Sequence, residues 1–310
     1  TNQQREHKVH TVLFFIALCA NCGGLLTPLG DPPLFMLFLR GAEFTWFLSL
    51  LPQWLFTGVI LLLIYFALDT YYYKREHWTA ISADHREHSP LRLRGGANLL
   101  YLICVVLTVA FINVGMIPAM GEPDAPIWLQ YLREIVLLSL TFVSLYTTKR
   151  QVRYELNHFS WSPIVEVAVL FLGIFTTMTP ALVYLSDNAS ALGLNQTWHF
   201  YYLTGLLSSF LDNTPTAVAF HSVAAGLTPD QMAAFGGELV AGVPALLLQA
   251  ICLGAVLFGA MTYIGNGPNF MVKAIAEESG IKMPSFFGYM FKFSLIVLLP
   301  VYILVQLIFL

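Results

Sequence analysis

Gly24-Leu-Leu-Thr27-Pro-Leu-Gly30-Asp31-Pro-Pro33-Leu-Phe35-Met36 returns near the other end of the chain as Gly259-Ala-Met-Thr262-Tyr-Ile-Gly265-Asn266-Gly-Pro268-Asn-Phe270-Met271. The two stretches align without gaps at an offset of 235, with six identical positions and Asp31 matched to Asn266. Each sets Gly, Pro, Thr and Asp or Asn in the middle of a long apolar run. In water such punctuation opens a loop. At bilayer depth a matched pair of interrupted helices marks a transport fold built from repeats, with unwound backbone lining the site.

Composition supports a membrane setting. Of 310 residues 57% are hydrophobic and 11% charged, with mean hydropathy +0.69, against roughly 25% charged in soluble domains. A net charge of −3 argues against nucleic-acid binding and against a polybasic membrane patch. Four cysteines make no disulfide framework, and Cys19 and Cys22 form a C-x-x-C in an apolar segment without βαβ context, which reads as structural rather than redox. No cofactor is expected. The start, Thr1-Asn-Gln-Gln-Arg-Glu-His-Lys, has neither an initiator Met nor the layout of a signal peptide and reads as a cut in mid-protein.

A bilayer core needs about 20 apolar residues per helix. The expected fold is an all-α polytopic membrane protein. Its spans are Val9–Leu39 (interrupted at Asn21–Pro33), Phe47–Leu68, Ala97–Met116, Trp128–Tyr146, Pro163–Leu185, Val240–Ala276 (interrupted again) and Phe286–Phe309. Trp198–Ala225 carries Pro and a polar cluster at its midpoint. The loops Thr1–His10, Asp69–Gly96 and Thr147–Ser160 hold ten of the fifteen Lys and Arg, Lys273, Lys282 and Lys292 join them, and only Arg40 and Arg133 fall on the other side. Positive charge marks the cytoplasmic face. Trp198–Ala225 must then enter and leave externally as a re-entrant hairpin with its tip near Asp212. About seven crossings plus this hairpin put the N-terminus of the chain inside and the C-terminus outside. Residues 1–68 form the rest of a first inverted repeat, 69–96 a cytoplasmic linker, and 97–310 a second repeat.

Polar groups at membrane depth are costly unless paired or facing a cavity, so function is sought there. The hairpin tip reads Ser208-Ser-Phe-Leu-Asp212-Asn213-Thr214-Pro215-Thr216. Pro215 frees carbonyls beside Asp, Asn and Thr oxygens, the all-oxygen surroundings hard cations favour; the alternative is that these residues cap two half-helices. The second broken span offers Thr262, Gly265, Asn266 and Asn269 with Pro268, and the first Asn21, Thr27, Gly30 and Asp31. Asp31 either caps the helix begun by Pro32 or takes part in coupling. Burial disfavours a charged carboxylate and a bound cation favours it, so Asp31 and Asp212 are the candidate proton carriers, with Glu166 as a further, interfacial one. His221 is either a proton relay or a buried, hydrogen-bonded histidine. Arg133 and Glu134 are adjacent near a helix start, so they face different directions and anchor at the interface. Thr176-Thr-Met-Thr179-Pro180 marks a kink. His77, His85 and His88 in the linker lack a metal-ligating frame, and the linker reads as solvated chain.

Three motifs now carry a resemblance. Asn21 to Pro33, Phe210-Leu-Asp212-Asn213-Thr214-Pro215-Thr216 and Gly265-Asn266-Gly-Pro-Asn269 resemble, in order, the signatures of the ion transporter superfamily that includes NhaD-type sodium/proton antiporters, ArsB arsenite efflux proteins and citrate and dicarboxylate carriers. The nearest branch resembles the NhaD type. The resemblance implies a homodimer in the plasma (bacterial inner) membrane, with a scaffold and an elevator-like transport domain. It also implies a cation site from Asp212, Asn213, Thr214 and Thr216 with Thr262 and Asn266, the Na⁺ held by Asp212, Asn213, Thr214 and Asn266. Asn21, Thr27, Gly30 and Asp31 would be half of a second site. Subtracting 235 from Asp212 places the missing first hairpin about 23 residues ahead of Thr1, so the chain reads as an N-terminally truncated member. Sodium-for-proton exchange by alternating access is the leading expectation. The alternative is an anion carrier for citrate, a dicarboxylate or arsenite, against which a carboxylate at the tip would act. An intramembrane aspartyl enzyme is remote, since neither G-x-S-x-G nor H-E-x-x-H occurs.

Overall fold

The computed structural model describes residues 5–79, 81–82, 95–157 and 159–310; the side chains at 156, 163, 166, 167, 170, 174 and 175 also lie outside the description. Among the described residues the regular elements are helices apart from a two-residue ribbon, Leu239–Val240 paired antiparallel with Val243–Pro244. Two compact units emerge: Thr1–His88 with Ile174–Leu310, and Ser89–Gly173.

In the larger unit the first broken span is α1 (Val9–Leu18), a 3₁₀ turn at Cys22–Gly24, and α2 (Pro32–Leu39). α3 (Leu51–Tyr73) continues a 3₁₀ stretch, Phe44–Leu50. Its buried face carries Gln53, Thr57 and Leu61, spaced by one helical turn, while Leu62, Leu63 and Phe66 are exposed. Polar inward and apolar outward inverts the pattern of a helix in water and suits one against lipid. Phe44–Tyr73 and Phe286–Phe309 are long and apolar enough to cross a bilayer unaided. The broken spans fall short because each is divided into halves.

The segment expected to be a re-entrant hairpin is two helices, α8 (Thr197–Phe210) and α9 (Asn213–Ala225), joined at Leu211-Asp212. It packs on α10 (Ala245–Gly259), which is buried along almost its whole length. Small residues permit the approach: a Cβ on Gly205 would stand 2.6 Å from the Phe258 ring, and one on Gly254 2.5 Å from the Tyr201 carbonyl oxygen. α11 (Gly267–Glu278) resumes the second broken span, and α12 (Phe286–Phe309) closes the chain with a π-helical stretch over Met290–Leu298. α7 (Thr179–Asp187) packs on α9; its separation at Met178 from α6 (Ser162–Thr177) is the kink expected at Pro180.

The smaller unit pairs α4 (Ala97–Phe111) with α5 (Leu132–Thr147), where Asn98 Oδ1 accepts from Thr148 at 2.8 Å and Ser144 at 3.1 Å. The span expected to reach Met116 ends at Phe111. Asn113 takes over the backbone there, donating to the Ala110 carbonyl at 2.8 Å and accepting from Met116 N at 3.1 Å. Arg133 and Glu134 correct another expectation. Rather than pointing apart they pair, with Nε and Nη2 donating to Oε1 at 3.0 and 2.7 Å, because both side chains are long enough to fold back along the surface.

Candidate functional site

The two interruptions are built alike. Asp31 has φ −151 and ψ 138, and its repeat partner Asn266 has φ −148 and ψ 135. Both therefore stand as extended residues ahead of a helix opened by proline, which fixes φ and has no N–H to lose there. A Cβ on Gly30 would overlap the Gly24 carbonyl oxygen, and one on its repeat partner Gly265 would stand 2.6 Å from the carbonyl oxygen of Gly259, the repeat partner of Gly24. The sequence offset thus survives as a repeated backbone contact that only glycine allows.

Four carbonyls released at the second break, those of Phe258, Gly259, Ala260 and Thr262, find side-chain donors, as a low-dielectric setting favours. Asn269 Nδ2 donates to the Gly259 and Thr262 carbonyls at 2.8 and 2.9 Å. Tyr289 OH donates to Ala260 O at 2.6 Å, and Ser209 Oγ to Phe258 O at 3.2 Å. Thr262 Oγ1 donates to the Ser209 carbonyl and accepts from Gly265 N at 3.1 Å, which ties the hairpin to the break.

Side-chain amides join the elements. Asn266 Nδ2 donates to Asn21 Oδ1 at 3.1 Å, and Asn21 Nδ2 donates to Asn269 Oδ1 at 2.7 Å and Ile16 O at 2.8 Å. Asn213 Nδ2 donates to Asp31 Oδ2 at 2.9 Å. Asn21, Asp31, Asn213, Asn266 and Asn269 are all buried. Asp31 is not a cap by its side chain: its carboxylate turns to Asn213 instead of its own helix. Asp212 is one, with Oδ1 accepting from Thr214 N at 2.8 Å, while Thr216 Oγ1 donates to the Asp212 carbonyl at 2.9 Å.

The first residues of α2, α9 and α11 thus meet at one point. A helix N-terminus carries about half a positive charge, so three together form a focus for negative charge, although Pro32 and Pro33 leave the first turn of α2 no free N–H to offer. Asp31 occupies it in the structure, with Asp212 within electrostatic range.

Of the expected residues, Asp31 and Asn213 form one bonded pair and Asn266, Asn21 and Asn269 a bonded trio beside it around Gly259, with Asp212, Thr214, Thr216, Thr262 and Gly265 bonded nearby. Thr27 and Gly30 close the first break through the Gly30 N to Thr27 O bond at 3.0 Å. The Glu166 side chain lies outside the described residues. Ser208 and Ser209, which point their hydroxyls at Ala255 O (2.6 Å) and Gly205 O (2.9 Å), were quoted with the tip but not expected in the site. Among the described residues no group of three or more His, Cys, Asp or Glu gathers to hold a metal ion.

Outside the apolar spans, Arg5 pairs with Asp69 at 2.9 Å, and Glu76 accepts from the backbone N–H groups of Glu6 and His7 at 3.0 and 2.8 Å. Burial pushes the Glu76 carboxyl up, but those donors with His7 and Arg5 outweigh it and hold the group below its ordinary range.

The model of a family described as "Putative citrate transport" matches residues 1–310 of the chain. No curated protein and no solved structure matches it.

Proposed function

The chain belongs to that citrate-transport family, and on this premise we propose that it carries a citrate-like carboxylate across the membrane, coupled to a cation. The observation that carries this reading is the meeting of three helix N-termini at an amide-rich, buried cluster. Asparagine amides and exposed backbone N–H groups are carboxylate donors, and the focus favours an anion from outside as readily as Asp31. The family favours the carboxylate alternative over sodium-for-proton exchange as the primary activity. The cation keeps a part: a substrate of several negative charges entering beside Asp31 and Asp212 needs compensation, by Na⁺ or by protons on those carboxylates.

In this reading Asn213 releases Asp31 and turns, with Asn266, to substrate oxygens, while Asp31 takes the coupling cation. Thr262, Asn269 and Asn21 hold the unwound backbone in place. The protein works as a multi-pass, homodimeric carrier in the plasma membrane. The test is uptake of labelled citrate into liposomes containing the purified chain, under an imposed proton or sodium gradient. Citrate accumulation that follows one of the gradients is expected. Dissipation of a pH gradient by sodium with citrate immobile would overturn the proposal in favour of the antiporter.

A further inference from the structure

α2 and α9 start together at the Asp31–Asn213 bond and end together at Arg40 and Ser222. Arg40 Nη1 donates to Ser222 Oγ at 2.9 Å and to His221 Nδ1 at 3.2 Å. Nine residues separate Asp31 from Arg40 and nine separate Asn213 from Ser222, so the far ends lie about 14 Å from the site along both helices. Between these far ends and α7 opens a cavity of about 500 Å³. Met36 and Val218 line it on the side towards the site, Thr179 and Ser186 on α7, and Arg40 and Ser222 at the helix ends.

Arg40 is the one charged residue in that lining. It is half-buried, and among the described residues no carboxylate is within ion-pair distance of it. His221 is buried and its other nitrogen faces the Ala241 carbonyl at 3.0 Å. That bond assigns the proton to Nε2 and leaves Nδ1 as the acceptor from Arg40, so the imidazole is neutral and leaves the charge unbalanced. Only Nη1 is engaged; the remaining guanidinium N–H groups make no bond among the described residues. A guanidinium held on one side by a rigid acceptor pair and free on the other suits a carboxylate, which it grips with two parallel bonds.

We propose that this cavity is a carboxylate-collecting vestibule, in which Arg40 binds one carboxylate of the substrate before it reaches the Asp31–Asn213–Asn266 site. The inference rests on the carboxylate reading of that site, and its test separates the two. Ser186→Cys is placed in the full chain with the four native cysteines replaced. Its labelling is followed in detergent with an anionic (ethylsulfonate) and a cationic (ethyltrimethylammonium) methanethiosulfonate. With Arg40 present the anionic reagent is favoured, and Arg40→Gln lowers the anionic-to-cationic rate ratio about tenfold, as expected of one charge lining the same wet cleft. Arg40→Lys restores the ratio. Citrate slows labelling in the Arg40 protein and not in Arg40→Gln. In transport, Arg40→Gln raises the KM for citrate at least fivefold with little change in maximal rate.

A rate ratio indifferent to Arg40 overturns the vestibule whatever the protein carries. So does citrate uptake with unchanged KM in Arg40→Gln. A ratio that follows Arg40 without citrate protection, in a chain that moves no citrate, overturns the carboxylate reading and with it the substrate assignment made here.

Discussion

Alanine at Gly265 places a Cβ 2.6 Å from the Gly259 carbonyl oxygen, 2.7 Å from that of Ser208 and 3.0 Å from that of Ser209. All three are backbone atoms, held from two helices, and none can swing aside as a side-chain end would. Relief requires the break to open by several tenths of an ångström in three directions. Forcing a methyl group into a filled site costs typically about 1–3 kcal/mol, and the rigid surroundings put this variant at the upper end. For a protein of 310 residues that is a fall in melting temperature of about 3–5 °C. Gly30→Ala, at the repeat position, meets the carbonyl oxygen and Cα of Gly24, again backbone atoms, so it loses at least a comparable amount. Gly267→Ala, with nothing within 4 Å of its Cβ, is the control and stays within about 0.5 kcal/mol of the parent. Thermal unfolding of the purified protein in detergent, followed by intrinsic fluorescence, measures all three. If Gly265→Ala melts with Gly267→Ala, or if only one of the repeated glycines is sensitive, the two breaks are not the same construction.

Replacing Asn21 by Leu leaves Ile16 O, Asn269 Oδ1 and Asn266 Nδ2 without their partner. The cost is about 2–6 kcal/mol, between the modest value of intramembrane hydrogen bonds and that of buried unsatisfied groups; an unchanged melting temperature would remove the amide network from the fold's support. Asp31→Asn keeps the volume and removes the charge. Citrate-for-citrate exchange is expected to persist while gradient-driven accumulation falls at least tenfold, and equal loss of both would take Asp31 out of coupling. Glu76, held below its ordinary range by the Glu6 and His7 N–H groups, contributes stability that is present above the unfolded-state carboxyl pKa of about 4.3. That contribution is lost as pH falls through the lower folded value. Unfolding of the parent minus that of Glu76→Gln should therefore shrink between pH 6 and pH 3, and a constant difference would contradict it.

The breaks were readable because Gly, Pro and Asp in an apolar run have few structural uses. The break between α8 and α9 at Leu211-Asp212 was readable from Pro215 and its polar neighbours. Lettering alone could not decide whether Asp31 serves its own helix or another element. Its partner Asn213 is 182 residues away, and no local rule couples such positions. Arg40 illustrates the same limit. From sequence it served only as a marker of one membrane side, and its neighbours His221 and Ser222 enter only once α2 and α9 lie side by side. His221 proves to be the buried, hydrogen-bonded histidine. The early end of α4 at Phe111 was missed because apolar residues continue beyond Asn113, and side-chain competition for the backbone leaves no trace in hydropathy.

Bonds at both ends of α2 and α9 have a mechanical meaning. One fastener, Asn213 to Asp31, sits at their start, and the other, Arg40 to His221 and Ser222, at their finish. Each involves a charged group and is worth about 1.5–3 kcal/mol. Sliding one helix along the other must undo both together, which confines such states to less than about one molecule in a hundred at 25 °C by that arithmetic. The two half-helices therefore behave as a single plank, although one comes from the first broken span and the other from the hairpin. Whatever displacement carries the site across the membrane must hinge at the edges of this plank rather than through its middle.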